Sequence, residues 1–524
     1  MPNSTPLKAV LYKTLLLILS LAAVTLLVSA CSYYQKVPAP TPVDRYIIEQ
    51  VTLIDVVNQK LLTNRFVTVD DGRIVQISAW DTHKLNPPSH PNLRRIDGRG
   101  KYLMPGLWDM HTVLTRLSPE LDYPLFIAHG VTSIRSNLTC PHQDRVSLYP
   151  CFAQKQQWNQ RVAQGQLIGP RIRGSGTFPV NGADHQHPDS PTWHGADSLE
   201  QAETLVDYYA SLPESLRPFF IKNYNWVKPD AYFAMVNMAQ NRGLEIGGHM
   251  PRKVGLEPSV LAGQRSFAHA RLFMYECSSE AQALREGKHW DLPLAQLYQL
   301  LLDTHDPALC DQRYQLLAQH NVFLSPTLLT RRNDYLGLQG QLTSRPANKF
   351  GHYLFTLEWR EEIAGLSDTP EQDAPVFDQF YQAAAATIVR AHHEGANLMV
   401  GTDANDIFVI PGASIHEEML ELNRAGIDNF DVLTAATHTP AQYFRQTDDA
   451  GSVAVGKQAD LLLLNANPVE NIQHTQSIHM VLQGRLIYDE TTLAALKNRA
   501  RARAKSHWPT VKLLFWWAQN PGGF

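Results

Sequence analysis

The sequence predicts an α/β chain: a (β/α)8 TIM-type barrel plus a small composite β-sandwich formed by both ends of the chain. Eight short apolar runs alternate with helical stretches between residues 103 and 404, which is what a (β/α)8 barrel requires. Short β-branched runs before residue 97 return in texture after residue 451, and neither end alone holds enough strands to bury a face. The length of 524 residues suits two or three domains, or one large barrel with an appendage. With 44% apolar and 18% charged residues there is ample material for a core, so disorder is excluded as the main state. The 46 Lys and Arg against 50 Asp and Glu leave a net charge of -4, no footprint for a polyanion, and nucleic acid is excluded as a partner.

Taken in order, residues 1–30 read as a lipoprotein signal peptide, with Lys8 and Lys13 ahead of an apolar run too short to span a bilayer comfortably. The stop Val28-Ser29-Ala30-Cys31 resembles a bacterial lipobox, which implies cleavage before Cys31 and its lipidation; an ordinary cleaved signal peptide is the competing reading. Ser32, where an Asp would resemble an inner-membrane retention signal, favours an outer-membrane lipoprotein facing the periplasm, held to the membrane through its N-terminal lipid only. Residues 31–44 form a Pro-rich tether. Residues 45–104 and 446–490 are assigned to the sandwich, with Asp70-Asp71-Gly72 as a hairpin signal. Residues 105–445 are assigned to the barrel, whose runs are 103–111, 130–136, 170–178, 219–225, 244–250, 266–272, 322–330 and 398–404. After the last run Ile415, Met419 and Leu422 repeat at helical spacing, with Glu417 and Glu418 in the first turn and Gly426 at the stop. Residues 491–524 are a basic and aromatic extension, read as a helix and a strand closing over the barrel rather than as a membrane contact.

Without Cys31 the remaining cysteines are Cys140, Cys151, Cys277 and Cys310, an even number that fits an oxidising compartment. The sequence-local pairing is Cys140 with Cys151 and Cys277 with Cys310, one of the connectivities such a set allows. No C-x-x-C spacing supports a cysteine metal site.

Residues at the C-terminal ends of barrel strands line the active site of such folds. Here the runs end in His111, Lys222, His249, His269 and Asp403, with Arg135 and Tyr224 nearby as candidate substrate contacts. Imidazoles, a lysine and a carboxylate converging on one rim suit a Lewis-acidic metal such as Zn2+. The loop Asp184-His185-Gln186-His187 beyond the third run reads as a solvated His-rich loop, with a substitute imidazole ligand as the sharper alternative. There is no G-x-S-x-G elbow, P-loop or dinucleotide fingerprint, so serine hydrolase, kinase and dehydrogenase readings have no support.

From residue 97 to residue 490 the chain resembles the amidohydrolase superfamily, in particular its imidazolonepropionase-like and Xaa-Pro-dipeptidase-like metal-dependent hydrolases. The matching pieces are LMPGLWDMH, FFIKNY, EIGGHMP, SFAHA, LMVGTDA, PGASIHEEMLELNRAGI, ATHTPAQYF and GSVAVGKQADLLLLNANP. The family's first strand carries H-x-H, and residues two apart on a strand share a face. Here that motif is His111-Thr112-Val113, and valine offers no lone pair. The resemblance therefore implies one metal position reduced to His111 and Asp403, and a second held by Lys222, His249 and His269. It further implies that Lys222 can be carboxylated by CO2 into a bridging ligand; a buried lysine paired with Asp403 is the alternative. Asp403 would act as general base and then protonate the leaving nitrogen. The resulting expectation is a hydrolase with one zinc ion rather than two, cleaving an amide-type C–N bond of a small-molecule or peptide-like substrate. The alternative is a chain that has lost catalysis and serves as a binding or scaffold lipoprotein, for which Val113 argues and the retained Lys222, His249, His269 and Asp403 argue against.

Overall fold

A computed structural model describes residues 37, 39–83, 93–140, 148–182 and 194–519. The expected signal peptide, the lipidation site Cys31 and the loop 184–187 lie outside the described residues. The chain starts with β1 (Arg45–Asp55), β2 (Lys60–Asp70), β3 (Arg73–Ala79), β4 (Arg94–Asp97) and β5 (Tyr102–Pro105). There follow β6 (Leu107–Thr112), β7 (Val131–Ser136), β8 (Arg171–Ser175), β9 (Val180–Asn181) and β10 (His194–Gly195). Then come β11 (Phe220–Asn223), β12 (Glu245–Gly248), β13 (Ser266–Ala268), β14 (Phe323–Ser325) and β15 (Asn397–Leu398). The last strands are β16 (Asp460–Leu464), β17 (Ile478–Gln483) and β18 (Leu486–Asp489).

Strands from both ends share one eight-stranded sheet in the order β18-β17-β16-β5-β1-β2-β3, with β4 also beside β1. Asp71 and Gly72 connect β2 to β3, both at positive φ (45° and 73°), the backbone that a two-residue Asp-Gly hairpin turn needs. The sheet curls until the start of β3 meets the segment before β16, where Ile74 N–H donates to the Lys457 carbonyl at 2.9 Å and Ala459 N–H to that of Gly72 at 2.9 Å. The run Leu461-Leu462-Leu463-Leu464 shows why so apolar a strand belongs here. Leu461 and Leu463 face the core inside the curl, with Tyr46, Val67 and Leu482, while Leu462 and Leu464 join the large core with Phe126, Ile127 and Val131. A strand buried on both faces has no polar alternation to show.

Between the two halves of that sheet lie two parallel sheets, β6-β7-β8 and β10-β9-β11-β12-β13-β14-β15. Each of the eight apolar runs supplies or touches one of these strands. Their edges meet twice. Phe219 N–H donates to the Ser175 carbonyl at 2.8 Å beside β8 and β11, and Met110 N–H donates to the Val400 carbonyl at 2.9 Å beside β6 and the segment after β15. The helix Ile415–Ala425 follows as its apolar spacing predicts, stopped at Gly426 with φ 121°.

The C-terminal extension differs from the expected helix and strand: it is two helices, Glu490–Ala504 and Trp508–Gln519. A short apolar run does not distinguish strand from helix, and here start signals decide. The Ser506 hydroxyl accepts from Trp508 N–H at 3.2 Å and Pro509 stands in the first turn, both helix-opening features. Among the described residues no helix is long and apolar enough to cross a membrane.

A candidate metal centre at the strand ends

His111 lies inside β6, a strand buried at every position. Two residues earlier on the same face, Asp109 acts as a clamp. Its Oδ1 accepts from His111 N–H at 3.1 Å and from Thr402 N–H at 3.0 Å, and its Oδ2 accepts from the Thr402 hydroxyl at 2.7 Å. That arrangement fixes the 402–403 turn against β6, and Asp403 N–H donates to the His111 carbonyl at 2.9 Å. Burial pushes the Asp109 carboxyl up to about 6.

The remaining imidazoles come from adjacent strand ends. His249 follows β12 and His269 follows β13, and their Nε2 atoms lie 3.0 Å apart. Since at most one of two facing ring nitrogens can carry the shared proton, one of them offers a lone pair. His249 Nδ1 is 2.9 Å from Asn225 Oδ1, and His269 Nδ1 is 2.9 Å from the Thr327 hydroxyl. Asp403 completes the group, its Oδ1 3.2 Å from His111 Nε2 and its Oδ2 3.7 Å from His269 Nδ1.

His111, His269 and Asp403 bring their ligand atoms within 4.8 Å of one another, the group among the described residues able to hold a metal ion. The electrostatics suit that use. Burial, reinforced for His111 and His249 by the Lys222 charge and for His269 by His249, holds all three imidazoles well below their ordinary pKa. They are therefore neutral, the form that ligates metal. The buried His111 Nδ1 has no hydrogen-bond partner among the described residues. Two neutral imidazole nitrogens and a carboxylate, preassembled, fit a divalent transition metal such as zinc.

His269 and Asp403 both adopt left-handed backbone, at φ 72° and 64°. Non-glycine residues held there store roughly 1–3 kcal/mol of strain each, and such residues gather at active sites. Lys222, buried in β11, joins the group through its charge; burial pushes its amine down while Asp403 pulls it back up. Burial and Asp406 in turn push the Asp403 carboxyl up. The five residues expected from the strand ends thus come together. His269, expected with Lys222 and His249, lies 3.0 Å from His249 through their Nε2 atoms and also shares a ligand group with His111 and Asp403.

Tyr224 stays beside the centre, its ring centroid 4.1 Å from that of His249. Arg135 does not serve as a substrate contact. It is 2% exposed, its Nε donates to the Met110 carbonyl at 2.6 Å and its Nη1 to the Ser266 hydroxyl at 3.3 Å. Its guanidinium lies over the Phe220 and Tyr443 rings at 5.3 and 5.1 Å, an interior cation rather than one at the rim.

Several partners escaped the sequence. Asp109 left a signal, a carboxylate flanked by Trp108 and Met110 within a buried strand. Asn225, Thr327 and Glu418 left none, since each acts across a tertiary contact. The Glu418 oxygens accept from Leu328 N–H at 2.9 Å and Leu329 N–H at 2.8 Å, so the helix carrying it satisfies the first-turn N–H groups of the buried start of the helix Leu328–Leu338 next to Thr327. Cys140 pairs with Cys151 and Cys277 with Cys310, the sequence-local connectivity.

Residues 227–487 match the Amidohydrolase family. No curated protein matches the sequence. Among solved structures, bottromycin amidohydrolase superposes with a TM-score of 0.67 at 21% identity, covering 88% of this chain and 91% of that one. A Xaa-Pro dipeptidase with methionine bound in its active site gives 0.57 at 18% identity, covering 85% and 100%. Molinate hydrolase gives 0.58 at 17% identity, covering 85% and 95%. At these identities the likeness establishes the fold, a TIM-type barrel with an extra domain. Taken with the family match, it supports assignment of the protein to the amidohydrolase superfamily.

Proposed function

We propose that the protein hydrolyses an amide-type C–N bond of a small or peptide-like substrate, with one zinc ion held by His111, His269 and Asp403 and with His249 and Lys222 alongside. The observation that carries this reading is the preassembled donor group at the strand ends, two neutral imidazoles and a carboxylate with ligand atoms within 4.8 Å of one another. A bound divalent ion supplies Lewis acidity and an acidified water there. The protein's own part is proton handling and orientation. The Asp403 carboxyl takes the proton of the attacking water and returns it to the leaving nitrogen, a task its raised pKa suits. Lys222 balances the Asp403 charge, and Thr327 and Asn225 set the ring orientations of His269 and His249. Carboxylation of Lys222 belongs to the same proposal and would add an anionic oxygen to the group.

Metal analysis of the chain from Ser32, purified without chelator, should find roughly one zinc per molecule, as expected of a catalytic zinc site. His269→Ala should lose both the metal and turnover on a panel of dipeptides and N-acyl amino acids. Retained metal in that variant would refute the ligand set. A chain that binds no zinc even after addition would favour the binding-protein reading that Val113 supports.

We further propose that the protein is lipidated at Cys31 and held at the outer membrane facing the periplasm, supported by the lipobox-like stop and by two disulfides that suit an oxidising compartment. Cys31→Ser should move it from the membrane fraction to the soluble periplasmic fraction; continued sedimentation with membranes would overturn this.

A further inference from the structure

At the end of the barrel opposite the imidazoles lies a cavity of about 800 Å3. It is bounded by the helix Phe152–Ala163 and the turn Glu214–Leu216, and by the N-terminal ends of β11 and β12 together with β8 and the residue preceding β13. Four guanidiniums line it, Arg173, Arg217, Arg265 and Arg445, with the Lys155 amine, against two carboxylates, Glu214 and Glu245.

Two of the four are fixed in place by stacking. Arg173 lies 5.0 Å over the Trp108 ring, and its side chain is only 9% exposed. Its Nε donates to the Ser133 hydroxyl at 3.1 Å, and its Nη2 to Gln458 Oε1 at 2.8 Å and Asp460 Oδ2 at 3.1 Å. Nη1 is left without a partner among the described residues. Arg265 lies 5.0 Å over Phe323 and 5.2 Å over Tyr443. It shares a single acceptor with Arg445: Glu245 Oε1 takes Arg265 Nη1 at 2.8 Å and Arg445 Nη2 at 2.6 Å. Arg217 donates its Nε to the Leu212 carbonyl at 2.9 Å and forms no ion pair among the described residues.

The lining thus carries more cation than anion, and two of its guanidiniums, Arg173 and Arg265, are held rigidly against aromatic rings. Rigid guanidinium forks match tetrahedral oxyanions through paired, charge-assisted hydrogen bonds. A cavity of this volume is in the range that holds a small molecule. From this arrangement we propose that the cavity is a second ligand site, distinct from the metal centre, that binds a phosphate group between Arg173, Arg217, Arg265 and Arg445. A soluble phosphate ester and a phospholipid headgroup present the same chemistry.

The test is calorimetric titration at low ionic strength with inorganic phosphate and with glycerol 3-phosphate, alongside flotation with phosphatidylglycerol vesicles and phosphatidylcholine controls. Arg217 and Arg445 are exposed, so the double variant R217Q/R445Q should keep the wild-type melting temperature. It should bind the phosphate probe at least about tenfold more weakly, a change of about 1.4 kcal/mol. H269A should bind as wild type does, because the metal centre takes no part. Binding to the soluble probes identifies a soluble ester as the source. Binding confined to anionic vesicles, and lost in R217Q/R445Q, identifies the headgroup. If neither probe binds, or if binding survives in R217Q/R445Q, the proposal is overturned.

Discussion

Val113 is a single residue with a measurable consequence. Its N–H donates to the Ala404 carbonyl at 2.6 Å, and its carbonyl accepts from Asn405 Nδ2 at 3.1 Å. The backbone at position 113 is therefore pinned within a residue or two of Asp403. It lies two positions past His111 and one residue beyond the end of β6, so an imidazole placed there starts beside the turn that carries Asp403. Val113→His should raise the zinc content from roughly one to roughly two ions per chain, filling a further ligand position of the kind zinc uses. Metal analysis after dialysis reads the outcome, and an unchanged content would mean that valine is not what limits the second position. This substitution was legible in the sequence because a strand motif has fixed spacing. The left-handed backbone of His269 and Asp403 was not, since neither residue type requires positive φ and only the surrounding packing imposes it.

At the scale of elements, Asp122 joins the short helices Ser118–Leu121 and Tyr123–Ala128, and its Oδ2 accepts from the Ser118 hydroxyl at 2.6 Å. Burial pushes its carboxyl up to about 7 from 3.8. Between about pH 4 and pH 7 the folded chain holds a proton at this site that the unfolded chain has released, so the site makes stability fall as pH rises through that window. Asp122→Asn cannot ionise, while its amide oxygen still accepts from Ser118. The variant should match wild type near pH 4 and exceed it by about 1–3 kcal/mol at pH 8, read by denaturant melts at both values. Parallel pH profiles would refute the buried neutral acid. Sequence periodicity placed the strands and the helix Ile415–Ala425 because each repeats an apolar face. It could not find Asp122 or the Glu418 contact with Leu328 and Leu329, where the partner lies 89 or 90 positions away. The segment Trp508–Gln519 marks the other limit, an apolar run whose length suited either structure until its start signals decided.

At the scale of the molecule, the two ends of the chain close one sheet whose outer face is also the wall of the barrel core. Leu462 shows the coupling: it is fully buried in the core that holds Phe126, Val131 and Ile134, while its neighbours Leu461 and Leu463 fill the curl of the sheet. A Cβ added at Gly130 would lie 2.9 Å from the Leu462 side chain, so little slack exists for repacking. Leu462→Ala should cost about 2–5 kcal/mol, the range for a leucine removed from a core that cannot collapse around the gap. Because the lost contacts belong to the barrel as much as to the sheet, the loss should appear in one cooperative transition. Far-ultraviolet dichroism, which follows the barrel helices, should shift together with fluorescence from Trp108 and Trp158, both buried in the barrel. If the far-ultraviolet signal kept its wild-type midpoint while another probe moved, the sheet would be a separable appendage, and the metal centre would owe nothing to the C-terminal strands.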